Sequence, residues 1–133
     1  METFFASCPR GLEQLLVDDL SAAGARDLKQ ISGGVHFRAE WTVCYRANLH
    51  SRSATRILWR GAHAPYRTED DIYRLALETS WPRSFVSEQT IRVDVTAVKS
   101  ALKSIDFVTL RIKDAICDRF RRDTGKRPSV DTR

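Results

Sequence analysis

Between residues 105 and 120 the apolar residues Ile105, Val108, Ile112, Ile116 and Phe120 return every three or four positions. That spacing matches the 3.6-residue turn of a helix and no strand, so the stretch is committed to a helix with one buried stripe, which Ala115 widens. Gly125 supplies a residue at ease in the left-handed conformation just past a helix end, and Pro128 prevents continuation. Around that stop stand Arg119, Arg121, Arg122, Lys126 and Arg127. Cations there suit a solvated helix C-terminus, whose partial negative charge they offset. The alternative is a grip on phosphates, although a run of charge on its own is more often a solvated face.

The distribution of charge favours the second use. Through Tyr45 four basic residues face six acids, a net of −2, whereas residues 46–133 carry 18 bases and 11 acids, a net of +7. A polyanionic partner for the later part, nucleic acid first, is the expectation. The 133 residues fit one ordinary domain or two very small ones, and 42% hydrophobic with 29% charged residues describes a globular chain. No apolar run is long enough to span a membrane and the Met-Glu-Thr start is not a signal peptide, so a cytoplasmic protein without membrane contact is expected. Cys8, Cys44 and Cys117 have neither disulfide-framework nor zinc spacing and read as reduced, packed thiols.

Taken in order, the chain starts with a short apolar strand around Thr3, Phe4 and Phe5. A helix from Leu12 carries Leu15, Leu16, Leu20 and Ala23, and Gly24 closes it. A strand over 26–31, a Ser32-Gly33-Gly34 turn and a strand over 35–39 form a hairpin, the second strand burying Val35, Phe37 and Ala39 and exposing His36 and Arg38. Helical spacing returns at Trp41, Cys44, Tyr45 and Leu49. A strand then covers 54–59 and is expected to run on toward Ala64, with Pro65 marking a boundary. Strand, helix, strand, strand, helix, strand is the order of the ferredoxin-like α+β fold. Thr68, followed by Glu69, Asp70 and Asp71, caps a further helix with Ile72, Leu75 and Ala76 inward, ended by Trp81-Pro82. Residues 89–98 alternate Ile91, Val93 and Val95 with Arg92, Asp94 and Thr96, which predicts a strand. This second α-β-α unit cannot close a sheet with one strand, so further strands or an outside partner are expected.

Residues able to do chemistry are sparse. The glycines form neither a phosphate loop nor a dinucleotide fingerprint, and no adjacent prolines give the loop of amino-group methyltransferases. His36, His50 and His63 lack metal-ligand spacing. Cys8, beside Pro9 at a helix start, is the one thiol placed where its pKa could fall. No catalytic, metal or cofactor site is expected within these residues. Two other clusters stay open at this stage. Arg46, Arg52, Arg56 and Arg60 form either a positive stripe or a surface paired with acids such as Asp70 and Asp71. Trp59, Tyr66 and Trp81 either stack on bases or belong to the core.

Phe-Phe-Ala-Ser-Cys-Pro-Arg-Gly-Leu-Glu-Gln-Leu-Leu at 4–16, Gly-Gly-Val-His-Phe at 33–37, Ser-Arg-Ser-Ala-Thr-Arg-Ile-Leu at 51–58, Lys-Asp-Ala-Ile-Cys-Asp-Arg-Phe-Arg at 113–121 and Arg-Pro-Ser-Val-Asp at 127–131 carry a resemblance. In matching order they resemble the N-terminal region of THUMP-domain RNA methyltransferases, most nearly those acting on guanine in bacterial 23S ribosomal RNA. The resemblance implies a ferredoxin-like domain over 1–66 and the beginning of a THUMP domain over 67–133. In the family that THUMP domain continues into further strands, so an incomplete THUMP domain is expected. It also implies that this pair binds structured RNA for a downstream Rossmann-like domain of the same parent chain, which uses S-adenosylmethionine to methylate the exocyclic amine of guanine. The expected phosphate contacts are Lys99, Lys103, Lys113, Arg121, Arg122, Lys126 and Arg127, as charge donors and shape readers. Two alternatives remain: a THUMP region of a tRNA-modifying enzyme, and a ferredoxin-like module that binds a small ligand or another protein.

Overall fold

The structure, a computed structural model, describes residues 1–131. The chain divides into two compact units, Met1–Gly61 and Ala62–Arg133.

In the first unit β1 (Glu2–Ser7), α1 (Glu13–Ala23), β2 (Arg26–Ile31), β3 (Gly34–Ala39), α2 (Trp41–His50) and β4 (Arg56–Trp59) follow one another. The strands form one sheet in the order β2-β3-β1-β4, every neighbouring pair antiparallel. This is the ferredoxin-like arrangement that the order of elements predicts. Leu16 and Leu20 of α1 and Cys44 and Ala47 of α2 share a core with Phe4, Ala6, Val35, Phe37 and Ala39, so both helices cover the same face of the sheet. At its centre the Phe4 ring stacks on Phe37 at 5.4 Å and meets the Trp41 ring edge-on at 5.2 Å. Truncating a buried phenylalanine such as Phe4 costs about 3–5 kcal/mol, a large part of the stability of a unit this small. β4 stops at Trp59 and does not run on toward Ala64; the Arg60 amide donates to the Thr3 carbonyl at 2.9 Å, and the chain from Gly61 to Arg67 is exposed.

Two carboxylates of α1 hold the loops around it. Glu13 accepts from the Gly11 amide at 2.8 Å and the Gly33 amide at 3.0 Å, which ties the β2–β3 turn to the helix start. Asp19 accepts from the Ser53 hydroxyl at 2.6 Å, the Ser51 hydroxyl at 3.0 Å and the Arg52 amide at 3.2 Å, which fixes the approach to β4. These donors hold the Asp19 carboxyl below the usual range, the Ser53 hydrogen bond first, against partial desolvation.

The second unit holds α3 (Glu69–Glu78), a 3-10 turn at Trp81–Arg83 and α4 (Ile105–Thr124). α3 opens on the expected capping box: Asp71 N donates to Thr68 Oγ1 at 3.4 Å while Thr68 N donates to Asp71 Oδ2 at 3.1 Å. Ser104 caps α4 by accepting from Phe107 N at 3.2 Å, and Gly125 ends it with φ of 76°. Val108, Ala115, Ile116, Cys117 and Phe120 are buried, with Ala76 and Pro128, and the Phe85 ring lies 4.9 Å from that of Phe120. Ile105, the first residue of the stripe, is 44% exposed. α3 has 10 residues to the 20 of α4, roughly 15 Å against 30 Å, so it cannot cover the whole stripe.

Residues 89–98 do not form the expected strand. Their burial does alternate, with Ile91, Val93 and Val95 half-buried and Arg92, Asp94 and Thr96 exposed. Only Ile91 pairs, in a parallel bridge to Val130, its amide donating to the Ser129 carbonyl at 2.9 Å and its carbonyl accepting from Asp131 N at 2.8 Å. Alternation sets which side chains are inward, but a strand also needs a neighbour along its length. Among the described residues none is present beyond that bridge.

Asp19 offers a test of this frame. Replacing it with alanine should lower stability by about 2 kcal/mol, the size expected when charge-assisted hydrogen bonds are lost. The sign with pH follows from the lowered folded pKa. The contribution is complete above the unfolded value of about 3.9 and disappears as pH falls through the folded pKa. Urea unfolding should therefore show wild type and variant separated at about pH 6 and drawing together as pH falls through the lowered pKa of the folded state.

Candidate nucleic-acid interface

The C-terminal end of α4 gathers most of the expected contacts. Residues 118–127 contain five bases and two acids. Arg121 and Arg122 are more than half exposed, at 57% and 58%, and stand near Asp118 at 4.0 Å and Asp123 at 3.4 Å. Lys126 and Arg127 follow the helix cap, exposed, with no ion pair among the described residues. These four cations leave the end of α4 strongly positive, because water-facing pairs such as Arg121–Asp118 hold their partners weakly. The helix C-terminus itself stabilises them there.

Arg119 belongs to the same sequence cluster but does a different job. Its side chain is only 14% exposed. Nη1 donates to the Leu77 carbonyl at 2.9 Å, Nη2 to Ser80 Oγ at 3.2 Å and Nε to Asp123 Oδ2 at 2.6 Å. Leu77 lies in the last turn of α3, where carbonyls have no partner within the helix. Arg119 thus closes one helix from the side of another, and its hydrogen bond is the main cause holding the Asp123 carboxyl below the ordinary range. The sequence carries a faint signal for this role. α3 has no basic residue in its own last turn, and neither has α1, whose Ala23 carbonyl accepts from Arg46 Nη1 at 2.9 Å.

The other expected contacts lie elsewhere on the unit. Lys99, with φ of 51°, and Lys103 are exposed in the loop before α4. They are separated from Arg121 and Arg122 by nearly the length of a 20-residue helix, about 30 Å. Lys113 is midway, 27% exposed and 3.2 Å from Asp114, in a cleft that Asp94 and Asp131 also line. Seven cations therefore resolve into a group of four at one helix end, a pair at the other and an acid-flanked lysine between them.

Charge by folded unit differs from charge by sequence half. Met1–Gly61 holds eight bases and six acids, and Ala62–Arg133 holds 14 and 11. The excess after Tyr45 comes largely from Arg46, Arg52, Arg56 and Arg60, in a stretch 46–61 with no acid, and this stretch belongs to the first unit. The pairing with Asp70 and Asp71 considered for these arginines is not what the acids do. Asp71 caps its own helix, and Asp70 pairs with Arg111 at 3.1 Å. Arg52, Arg56 and Arg60 are exposed without ion pairs among the described residues.

Of the aromatic candidates, Trp81 is structural: its indole Nε1 donates to the Ala76 carbonyl at 2.7 Å, closing a second carbonyl at the end of α3. Trp59 lies against Trp41 at 5.7 Å and donates to Glu2 at 3.2 Å. Tyr66 is 42% exposed, its hydroxyl 2.9 Å from Ser100 Oγ. Burial raises the Cys8 thiol pKa, with the Glu13 carboxylate adding to the rise, so a helix start does not activate this thiol. Among the described residues no group of three or more His, Cys, Asp or Glu could hold a metal ion, and no helix is long and apolar enough to cross a membrane.

Comparison with known proteins supplies the family. The THUMP domain family model matches residues 66–133. The chain belongs to the THUMP family. A second model, the RlmL ferredoxin-like domain, matches residues 3–58. The THUMP chain is 40% identical over 131 residues to the ribosomal RNA large subunit methyltransferase K/L of Aeromonas salmonicida, covering 98% of this chain and 18% of that protein. With the enzyme of the same name from Methylococcus capsulatus it shares 39% over 127 residues, covering 96% and 17%. It thus spans less than a fifth of the length of these relatives. The fold is shared with SMU.472, a methyltransferase candidate crystallised with SAH, at a TM-score of 0.85 and 22% identity over 96% of this chain and 35% of that one. It is also shared with a structure described as an N6-adenine-specific DNA methylase from Listeria monocytogenes, at 0.84 and 24% over 96% and 34%.

The division of labour among the arginines is directly measurable. Arg119→Ala should lower the unfolding free energy of the THUMP unit by about 2–3 kcal/mol, because buried charge-assisted hydrogen bonds are lost. Arg121→Ala and Lys126→Ala should stay within about 0.5 kcal/mol of wild type, as exposed changes do. Denaturant midpoints of the three variants decide between a shared and a divided role.

Proposed function

We propose that this chain is the RNA-binding accessory region of a ribosomal RNA guanine-N2 methyltransferase acting on 23S RNA in the cytoplasm. In this reading it positions structured RNA for a downstream Rossmann-like domain of the parent protein, where S-adenosylmethionine supplies the methyl group. The observation that carries it is the exposed group Arg121, Arg122, Lys126 and Arg127 at the end of α4, inside the stretch matched by the THUMP model. The relatives named ribosomal RNA large subunit methyltransferase K/L support the substrate class. One SAM-derived product, SAH, is bound by a structural neighbour, which supports the cofactor of the parent.

We place the ferredoxin-like domain at 1–66 and the THUMP domain from 67 onward. The exposed chain from Gly61 to Arg67 supports a boundary there, since domain limits fall in exposed segments with few contacts. Lys99, Lys103 and Lys113 extend the phosphate-binding set along the helix. The four cations at its end carry most of the affinity, because they are clustered and least matched by acids. Contacts of this kind read the spacing of phosphates and the shape of an RNA helix, not base identity.

A salt titration tests the reading. Binding of this chain to a folded 23S RNA fragment should give log affinity falling linearly with log salt. Neutralising Arg121, Arg122, Lys126 and Arg127 together should reduce the slope by about 3–4, roughly one for each phosphate contact removed. Arg83→Ala, an exposed control outside the set, should leave it unchanged. An unchanged slope in the fourfold variant would remove these residues from the interface.

A further inference from the structure

The geometry points to the open face of the β2-β3-β1-β4 sheet as a second RNA-contact surface, one that stacks an unpaired base on Phe5 beside His36. This extends the RNA-binding reading from the end of α4 to a defined face of the ferredoxin-like sheet and to unpaired RNA, and it rests on that reading for the identity of the polymer.

Strand register decides what this face displays. Residues directly opposite one another in an antiparallel pair share a face. Phe4 pairs with Phe37 and Trp59, and Ala6 with Val35 and Ile57, so these residues turn toward the helices. The residues between them turn away. Phe5, opposite His36 on one side and Leu58 on the other, holds the middle of the open face.

The Phe5 ring lies down on the sheet. Its centroid is 4.8 Å from the imidazole of His36, with a tilt of 44°. It also covers Gly34, where a Cβ would come within 2.6 Å of Phe5 Cε2 and 2.5 Å of the Ala6 carbonyl oxygen. Any larger residue at 34 would lift the ring off the strand. The result is a half-buried aromatic lying along a solvent-facing sheet, with a histidine ring at its side.

Cations surround this platform. Lys29 is opposite His36, and Arg26 is opposite Arg38 across a bulge. Arg56 pairs with Ser7 at the other edge, and Arg60 continues the same register through its amide bond to Thr3. All five are exposed. The one carboxylate beside them among the described residues is Asp27, 3.6 Å from Arg38. Glu2, the other strand acid, is in register with Ala39 on the helix side.

A four-stranded sheet with aromatics on its two central strands and cations around them is how one common class of RNA-binding module takes unpaired bases. The ring stacks on a base of any sequence, while the cations follow the backbone. A protein partner would need a broader apolar patch than Phe5, Leu58 and Ile31 provide between charges. Positive charge on the face selects a polyanion, and the exposed ring selects one with unpaired bases.

The test uses the whole chain, with a fluorescent single-stranded RNA of about ten nucleotides and, separately, a fully paired RNA hairpin. Phe5→Leu keeps an apolar side chain in the sheet but removes the stacking surface. It should weaken single-strand binding about tenfold, within the range of one lost base stack, with hairpin binding and the unfolding midpoint unchanged. Phe5→Tyr should restore the affinity. Arg38→Gln combined with Arg56→Gln should weaken single-strand binding and flatten its salt dependence, whereas variants at Arg121 and Arg122 should affect the hairpin alone. If wild type and Phe5→Leu bind the single strand equally, or neither binds it, the inference is overturned while hairpin binding still upholds the proposed function. Loss of hairpin binding with single-strand binding intact would sink the assignment at α4 and leave the sheet face standing. Competition by an acidic peptide as effective as RNA would make this a protein-docking face and overturn the inference.

Discussion

Both helices of the first unit lie on one side of its sheet, and strand geometry makes that choice govern two surfaces at once. Side chains alternate along a strand, so every residue committed to the core places its neighbours on the opposite face. Phe4 and Ala6 inward requires Thr3, Phe5 and Ser7 outward; Phe37 inward requires His36 and Arg38 outward. A one-residue slip in register would bury Arg38 and expose Phe37, a cost of several kcal/mol. The packing of Phe4 against Phe37 and Trp41 therefore fixes the pattern of ring and charge on the far side just as firmly as it fixes the core.

Charged residues in this chain divide by what lies within reach of a helix end. Arg46 and Arg119 each come from the second helix of their unit and donate to a carbonyl at the C-terminus of the first, at Ala23 and Leu77. Those carbonyls would otherwise be left without intrahelical partners, and an arginine supplies a donor that stays charged at any physiological pH. Acids serve the opposite ends and the loops, as Asp71 does at the start of α3, Glu13 at the β2–β3 turn and Asp19 before β4. Once these structural uses are set aside, the cations that remain are concentrated on exposed ends and strands. A formal net charge of +5 understates this, because it counts the acids already occupied in holding the fold.

Much of the framework was legible in the sequence. Boundaries marked by a specific chemistry were found where that chemistry stands: Thr68 with Asp71 at the start of α3, Gly24 and Gly125 after α1 and α4, and the β2–β3 turn, which occupies Ser32-Gly33 with Gly34 already paired in β3, one residue before the expected strand start. The strand expected over 89–98 was not, because periodicity reports which side chains are inward and says nothing of the neighbour a ladder requires. Charge misled for a related reason. A split at Tyr45 joins Arg46–Arg60 to the later residues, while the fold places them in the first unit. Arg119 looked like one more member of a cationic cluster; only the approach of α3 to α4 shows that its guanidinium is spent on Leu77, Ser80 and Asp123. Of the candidate contacts, Arg121, Arg122, Lys126 and Arg127 are brought together, whereas Lys99 and Lys103 lie in the loop before α4 and Lys113 midway along it.

That spread bears on how such a unit can read RNA. A point cluster grips any polyanion, whereas charges separated by roughly 30 Å along a rigid helix are selective for phosphates held at a matching distance. A flexible strand would pay in entropy to span both ends, but a folded RNA presents its phosphates already fixed, so the cost of ordering falls on neither partner. In the proposed reading, the rigidity of α4 is thus part of the selectivity. It depends on the caps at Ser104 and Gly125 and on Arg119, which ties the helix to the end of α3. Arg119, one of the cations that stand around the helix end in the sequence, therefore contributes by keeping the proposed contacts at a constant separation.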